Sequence, residues 1–207
     1  QHADGDPAAR RVKTDVGSYE ADFLVVAMGA DYDWEATPGF REGGSEYYTV
    51  AGAERLRDVL GEFEGGRVPV CVLRQPFKCP PAPFEGAFLL HEYFQQRGIR
   101  ESVELSSVFP MERPVPVTGE VSGMFRDGLA SRGITELAGH RVTSIDPATS
   151  TAQLASGGTL PYDLFIGIPI HRAPDPLAAA GLAVDGWVPV DQTNLRTQFP
   201  GVYAIGD

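Results

Sequence analysis

The sequence predicts an α/β fold with a doubly wound parallel sheet, and three observations support this prediction. Residues 67–109 follow the order strand, helix, strand, and residues 121–145 add a further helix and strand. Two apolar runs, FLVVAM (23–28) and RVPVCVL (67–73), show no polar–apolar alternation, which is typical of parallel strands covered on both faces. Strands that alternate with helices in this way form a parallel sheet.

The first third of the chain is predicted to hold two strands, a loop and a helix. Residues 10–17 form a short strand that ends in a turn, and residues 19–30 form a strand buried on both faces. Residues 31–48 are rich in Gly, Asp and Tyr and are predicted to be a connecting loop. Residues 51–63 have apolar side chains at helical spacing, and the Gly65-Gly66 pair that follows is a typical helix end.

The middle of the chain continues the alternation of strands and helices. A strand at 67–73 is followed, after a proline-rich turn, by a helix at 84–97. The alternating pattern at 102–109 predicts the next strand. Residues 110–120 are predicted to be a loop, and residues 121–133 a helix. Both helices end at a glycine, as helices commonly do.

The last third is predicted to consist of strands joined by turns. Strands are expected within 134–146 and within 151–170, and the second range contains a tight turn at Ser156-Gly157-Gly158. Residues 186–191 and 201–207 are predicted to supply two further strands after loops.

Composition and charge narrow the classes of function. The 207-residue chain carries a formal net charge of -11, which argues against nucleic acid as a partner because phosphate binding needs a basic face. No apolar run approaches the roughly 20 residues that span a bilayer, and no spacing of His, Cys, Asp and Glu suggests a metal site. The cysteines Cys71 and Cys79 do not make a disulfide framework, so a reducing, cytoplasmic location is expected.

Two motifs resemble the FAD-dependent pyridine nucleotide-disulfide oxidoreductase superfamily. YEADFLVVAMGA (19–30) resembles the superfamily's apolar strand that ends in Ala-Thr-Gly at the flavin, except that Met28 replaces the Thr. TNLRTQFPGVYAIGD (193–207) resembles the later motif Thr…Pro-Gly-Val-Tyr-Ala-x-Gly-Asp, whose final Asp hydrogen-bonds the ribityl and phosphate side of the flavin. The resemblance implies that FAD contacts Ala27, Gly29, Gly206 and Asp207.

The order of these motifs implies a Rossmann-like βαβ domain inserted into part of an FAD-binding domain. We expect residues 1–45 and 173–207 to belong to the FAD-binding domain, and residues 46–172 to form the inserted, NAD-binding-like domain. The chain lacks the superfamily's N-terminal Gly-x-Gly-x-x-Gly and its C-terminal segment, which suggests a truncated, central piece of a longer protein. FAD is therefore expected in the full-length protein, and this stretch alone is not expected to bind FAD tightly.

The turn after the strand 67–73 differs from the turn that binds NADH or NADPH in relatives. In those proteins a Gly-x-Gly-x-x-Gly turn lets the backbone and the first helical amides bind the pyrophosphate. Here residues 75–83 are QPFKCPPAP, and the prolines have no N–H to offer although they fit the first turn of a helix. Ser106 and Ser107 stand where an acidic residue would hold the ribose. The inserted domain is predicted to have lost its nucleotide.

The segment KCPPAPFE (78–85), which contains Lys78 and Cys79, resembles the redox-cysteine segment of sulfide:quinone oxidoreductases and flavocytochrome c sulfide dehydrogenases. The adjacent lysine and the positive end of the following helix favour the thiolate, which is the nucleophilic form. The alternative is that Cys79 is packed and inert, with prolines that only stiffen the turn. Cys71, in the middle of a strand, is expected to be inert. His171 either shuttles protons near the flavin or quinone, or is a loop histidine bonded to the backbone.

This resemblance implies a reaction for the full-length enzyme. Sulfide would be oxidised through Cys79 and a second cysteine beyond residue 207, and electrons would pass to FAD and then to a quinone or cytochrome. Peripheral attachment to the cytoplasmic membrane stays open, and no oligomeric state is implied. Two alternatives remain: an NAD(P)H-linked flavoprotein reductase of the same superfamily, and an inactive isolated domain.

Overall fold

The computed structural model describes residues 4–114 and 119–207, and it has the α/β fold with a parallel sheet that the sequence predicts. In chain order, the strands of these residues are β1 Asp4–Asp6, β2 Arg11–Thr14, β3 Gly17–Glu20, β4 Leu24–Val26, β5 Asp31–Asp33, β6 Gly44–Ser45, β7 Gly66–Val72, β8 Val103–Phe109, β9 Thr135–Ala138, β10 Val142–Asp146, β11 Thr151–Leu154, β12 Thr159–Pro161, β13 Phe165–Ile168, β14 Ile170–Arg172 and β15 Val202–Ala204. The helices are α1 Phe40–Gly43, α2 Val50–Glu62, α3 Ala82–Gln96, α4 Gly119–Ser131 and α5 Asp175–Ala179, with short 3-10 helices at Trp34–Ala36 and Arg100–Ser102.

The chain divides into two compact units. The first contains the residues up to Tyr32 together with His171–Asp207, and the second contains Asp33–Ile170. No helix of the described ranges is both long and apolar enough to cross a membrane.

The second unit is built on a five-stranded parallel sheet in the order β6-β13-β7-β8-β9. Successive side chains of β7 enter different cores. Val68, Val70 and Val72 share a cluster with residues of α2, α3 and α4, whereas Cys71 belongs to a second cluster. Because both faces of β7 are covered, the run RVPVCVL shows no polar–apolar alternation.

The second cluster lies where β10, β11 and β12 form a three-stranded antiparallel sheet. Val142 and Ile145 of β10 join Phe40 of α1 and Phe165 of β13 in this core. Cys71 is fully buried in the same cluster, and burial raises the pKa of its thiol because the charged form loses its hydration. The thiol of Cys71 is therefore held neutral and away from solvent.

The first unit holds an antiparallel sheet, β1-β2-β3, and a parallel pair, β4-β15. Its core contains Val26, Leu177, Leu182 and Val202, with α5 contributing Leu177. The pairing places Leu24 to Val26 beside Val202 to Ala204, so the carboxyl ends of both strands lie at the same edge.

The prediction of a long strand at 19–30 buried on both faces is wrong. β4 covers only Leu24–Val26, and Phe23, Val25 and Met28 are 68%, 56% and 49% exposed. Val26 is buried while Val25 is not, because in the described residues the hydrophobic cluster of this unit covers only one face of the strand.

Other differences concern irregular segments. Residues 31–48, predicted as a loop, contain β5, a 3-10 turn, α1 and β6. The two-residue strand β6 forms because it pairs with β13 at the edge of the parallel sheet. Residues 186–191 form no strand, and Trp187 makes only an isolated bridge to Val184. The loop predicted at 110–120 lies partly outside the described residues, and α4 already begins at Gly119.

The units differ in extent from the domains expected from sequence. The first unit ends at Tyr32, whereas we expected the inserted domain to begin at residue 46, because α1 packs with the second unit's core and β6 pairs with β13. The return to the first unit, at His171, differs by two residues from the expected 173. The assignment of the units to FAD and to a former nucleotide remains a prediction.

Candidate functional site

Cys79 lies in the turn between β7 and α3, at the carboxyl end of a central strand. The residue is exposed and has a left-handed backbone with φ of 57°. Few non-glycine residues adopt this conformation, because Cβ then crowds the following carbonyl. The carbonyl of Cys79 accepts a hydrogen bond from the amide of Ala82 at 2.9 Å. The turn therefore presents a thiol to solvent three residues before Ala82, the first residue of the helix.

The amides that begin α3 are already used or absent. The amide of Ala82 donates to Cys79, the amide of Phe84 donates to the carbonyl of Pro81 at 3.0 Å, and Pro83 has no N–H. In a dinucleotide-binding turn these first amides would face the pyrophosphate. The first three helical residues thus leave no amide for a phosphate.

Two adjacent tyrosines contact the backbone on either side of Cys79. The hydroxyl of Tyr48 donates to the carbonyl of Lys78, and the hydroxyl of Tyr47 donates to the carbonyl of Ala82, both at 3.0 Å. Sequence reasoning missed both residues. Their only sequence signal is a pair of aromatic residues before Thr49, which caps α2.

The serines expected to replace a ribose-binding acid lie inside β8 rather than at its end. Ser107 is fully buried and Ser106 is half-buried, while the strand continues to Phe109. The ribose contact that we assigned to these serines was therefore misplaced, because two to three residues of the strand separate them from its end at Phe109. No acidic residue stands at the strand end itself, although exposed Glu112 follows three residues later.

The two flavin motifs meet at the carboxyl edge of β4 and β15. The amide of Ile205 donates to the carbonyl of Val26 at 2.9 Å, which extends the pairing beyond β15. Gly29, Gly206 and Asp207 line one small cavity of about 120 Å³. Ala27 lies beside it and lines a separate apolar groove of about 200 Å³. Three of the four predicted cofactor residues are therefore brought together.

The backbone of Gly29 and Gly206, at the carboxyl edge of β4 and β15, has free space beside it. Gly29 and Gly206 have φ of 72° and 91°, and a Cβ at either position would meet no atom within 4 Å. Glycine is favoured here because the left-handed backbone is strained for other residues. Asp207 is exposed, so its carboxylate can accept hydrogen bonds from a hydroxyl-rich ligand. These residues fit one edge of a flavin site.

His171 lies in β14 and is almost fully buried, with 1% of its surface exposed. Its ring contacts the edge of Tyr32, with centroids 5.0 Å apart. One of the two interpretations of His171 from the sequence, a loop histidine, is wrong in its location, because the structure places the residue in a strand. Its predicted proton transfer stays a prediction.

Lys78 is half-buried beside Cys79, in the second unit. The first unit contains the other predicted site residues, Ala27, Gly29, Gly206, Asp207 and His171. Over residues 4–114 and 119–207, no group of His, Cys, Asp and Glu side chains is arranged to hold a metal ion.

Comparisons with known proteins relate the chain to oxidoreductases. It is 24% identical over 204 residues to the mitochondrial sulfide:quinone oxidoreductase of Dictyostelium discoideum, a match that covers 90% of this chain and 44% of that protein. It is 28% identical over 226 residues to the ferredoxin--NADP reductase of Rhodopseudomonas palustris strain BisB18, with coverage of 98% and 57%. The X-ray structure of the sulfide:quinone oxidoreductase from Aquifex aeolicus superposes with a TM-score of 0.81 at 23% identity, covering 99% of this chain and 50% of that one, which shows a shared fold.

The chain spans about half the length of these relatives. The family model described as "Pyridine nucleotide-disulphide oxidoreductase" matches residues 98–207, more than half of the chain. The motif TNLRTQFPGVYAIGD, at the edge of the open backbone, lies within the matched range. The chain therefore belongs to the pyridine nucleotide-disulphide oxidoreductase family.

Proposed function

We propose that the full-length protein carrying this chain is an FAD-dependent oxidoreductase that oxidises sulfide through Cys79 and passes the electrons to a quinone. The observation that carries the proposal is the turn before α3, where an exposed thiol stands beside helix amides that are already bonded. This arrangement suits sulfur chemistry and does not suit a pyrophosphate. The likeness to sulfide:quinone oxidoreductases supports it.

The role of Cys79 is to bind the sulfur atom that is oxidised. The thiolate of Cys79 and HS⁻ form an S–S bond, giving a persulfide anion, one proton and two electrons. A quinone takes up two electrons and two protons to become a quinol. FAD supplies the chemistry that accepts the electron pair, and the proposed second cysteine lies outside this chain.

The first unit would hold part of the cofactor. Gly29 and Gly206 provide open backbone against which a flat or extended group can lie, and Asp207 provides the carboxylate that accepts from hydroxyl groups. His171 is proposed to transfer protons near the flavin or quinone, a role that an imidazole can serve. A lipid-soluble quinone as acceptor also favours a cytoplasmic protein attached peripherally to the membrane.

The second candidate is an NAD(P)H-linked flavoprotein reductase. It is favoured by the likeness to a ferredoxin--NADP reductase and by the carboxylate of Glu112 just after β8, where an acidic residue can bind a ribose. The bonded amides of α3 count against it. The third alternative, that the isolated 207-residue piece is inactive, concerns this stretch alone.

Rapid-mixing absorbance on the full-length, FAD-loaded protein tests the proposal. Sulfide should bleach the flavin band and NADH should not. Cys79→Ser should keep FAD bound and lose most of the sulfide-driven bleaching, because a serine hydroxyl cannot carry sulfur. Cys71→Ala is the matched control and should bleach as the parent does, since Cys71 is buried in the core. Bleaching of the serine variant at the parent rate would disprove the proposal, and bleaching by NADH would favour the second candidate.

A further inference from the structure

We infer that Tyr47 and Tyr48 are positioning residues that hold the Cys79 turn in its reactive geometry, an inference that rests on the proposed function. Their hydroxyls donate to carbonyls on the two sides of the cysteine, at Lys78 and Ala82. The two hydrogen bonds therefore fix the chain both just before Cys79 and just after it.

The backbone of Cys79 needs this support. A non-glycine residue at φ of 57° is less stable than in the ordinary helical or extended regions. Strain of this kind persists only where the surroundings determine the conformation. The first residue of α3 supplies one supporting hydrogen bond, from the amide of Ala82 to the carbonyl of Cys79. The two tyrosines, from another segment, supply two more hydrogen bonds to the flanking carbonyls.

The hydroxyl of Tyr47 remains a donor under ordinary conditions. Burial raises its pKa strongly, and the nearby Tyr48, Glu85 and Cys79 raise it further, because each would place negative charge beside a phenolate. Gly86 makes the approach feasible, since a Cβ at that position would overlap the Tyr47 hydroxyl.

The tyrosines are themselves anchored. The carboxylate of Glu46 is 97% buried and accepts hydrogen bonds from the amides of Tyr48 and Thr49, at 2.5 and 2.9 Å, and from the Thr49 hydroxyl at 2.6 Å. Thr49 in turn caps α2 by accepting from the amide of Gly52. The start of α2 thus sets the position of the two rings, and the rings set the position of the cysteine turn.

The test compares Tyr47→Phe, Tyr48→Phe and the double variant in the full-length, FAD-loaded protein. Each single variant should lower the limiting rate of sulfide-driven flavin bleaching by about fivefold, and the double variant by about 20-fold or more, as expected when a net hydrogen bond is lost at each site. The sulfide concentration at half-maximal rate should not change, because both tyrosine hydroxyls donate to backbone carbonyls and are proposed to orient the turn and not to bind sulfide. Tyr93→Phe is the matched control and should stay within about twofold, since the Tyr93 hydroxyl donates to no described residue.

A nitroxide spin label on Cys79, in full-length protein whose other exposed cysteines are replaced by serine, provides a second measurement that does not depend on activity. Its spectrum should show narrower lines, hence faster motion, in the Tyr47 and Tyr48 variants and not in Tyr93→Phe. If Cys79→Ser abolishes bleaching while the double variant bleaches at the parent rate with an unchanged spectrum, the tyrosines do not position the cysteine. If Cys79→Ser bleaches normally, the proposed function fails, and the spectrum alone then decides whether the tyrosines order the turn.

Discussion

Gly52→Ala should destabilise the second unit, although alanine is the better helix former. A Cβ at residue 52 would overlap the buried carboxylate of Glu46, so that side chain must move. Movement disrupts its three hydrogen bonds to Tyr48 and Thr49. Bonds to a charged acceptor contribute about 1.5–3 kcal/mol each. With two of them lost at the lower end of this range, about 3–4 kcal/mol together, and about 1 kcal/mol recovered from helix propensity, we expect a net loss of about 2–3 kcal/mol.

Gly61→Ala is the matched control, because Gly61 lies in the same helix and a Cβ there would meet nothing within 4 Å. It should raise stability by about 0.5 kcal/mol. Thermal unfolding followed by circular dichroism should show Gly52→Ala lower by about 4–12 °C and Gly61→Ala unchanged or slightly higher. Equal shifts for the two variants would show that the Glu46 carboxylate is not held as described.

Three further predictions concern the thiols, the nucleotide and pH. Alkylation by iodoacetamide should be at least about 1,000-fold slower at Cys71 than at Cys79, because Cys71 reacts only when the central sheet opens. The two thiols fall in separate tryptic peptides, so their rates can be measured separately. Comparable rates would refute the burial of Cys71. Calorimetry with millimolar NADH or NADPH should show no binding, because the first amides of α3 are bonded; a micromolar isotherm would contradict this. His91 accepts a hydrogen bond from Arg100 at 2.9 Å, and burial followed by the charge of Arg100 lowers its pKa. The contribution of His91 to the free energy of unfolding is complete above pH 6.5 and is lost as pH falls below that value, where the unfolded histidine gains a proton. The difference in unfolding free energy between the parent and His91→Gln should therefore shrink from about pH 7 to about pH 5.

The regular elements could be predicted because their patterns are local. Helices α2, α3 and α4 begin within about two residues of the predicted positions, since apolar spacing and terminal glycines mark them. The central strand β7 was likewise predicted, since every one of its side chains from Val68 to Val72 is buried. Gly29, Gly206 and Asp207 were grouped by their resemblance to known motifs, and parallel pairing of β4 with β15 explains why they meet.

The features that could not be predicted from the sequence depend on contacts between distant segments. Nothing in the sequence near Cys79 indicates that a pair of tyrosines about 30 residues earlier binds its flanking carbonyls. The exposure of Val25 was missed because an apolar run resembles a fully buried strand whether or not both faces are covered. The serines of β8 were assigned to the ribose position from their order in the run VELSSVF, and this order does not show that Ser107 lies within the buried part of the strand.

The turn before α3 cannot serve a thiol and a pyrophosphate at the same time. In a dinucleotide-binding turn, glycine permits left-handed backbone and leaves room for the phosphate to approach the amides. Here the left-handed residue is Cys79, so a side chain occupies the space beside the backbone, and the amides of Ala82 and Phe84 are bonded within the turn. The carbonyls of Lys78 and Ala82, on either side of Cys79, accept hydrogen bonds from Tyr48 and Tyr47. Removal of the thiol alone would leave the amides bonded and the prolines in place. The predicted loss of nucleotide binding therefore depends on the whole turn and its support, and Cys79→Ser alone should not restore it.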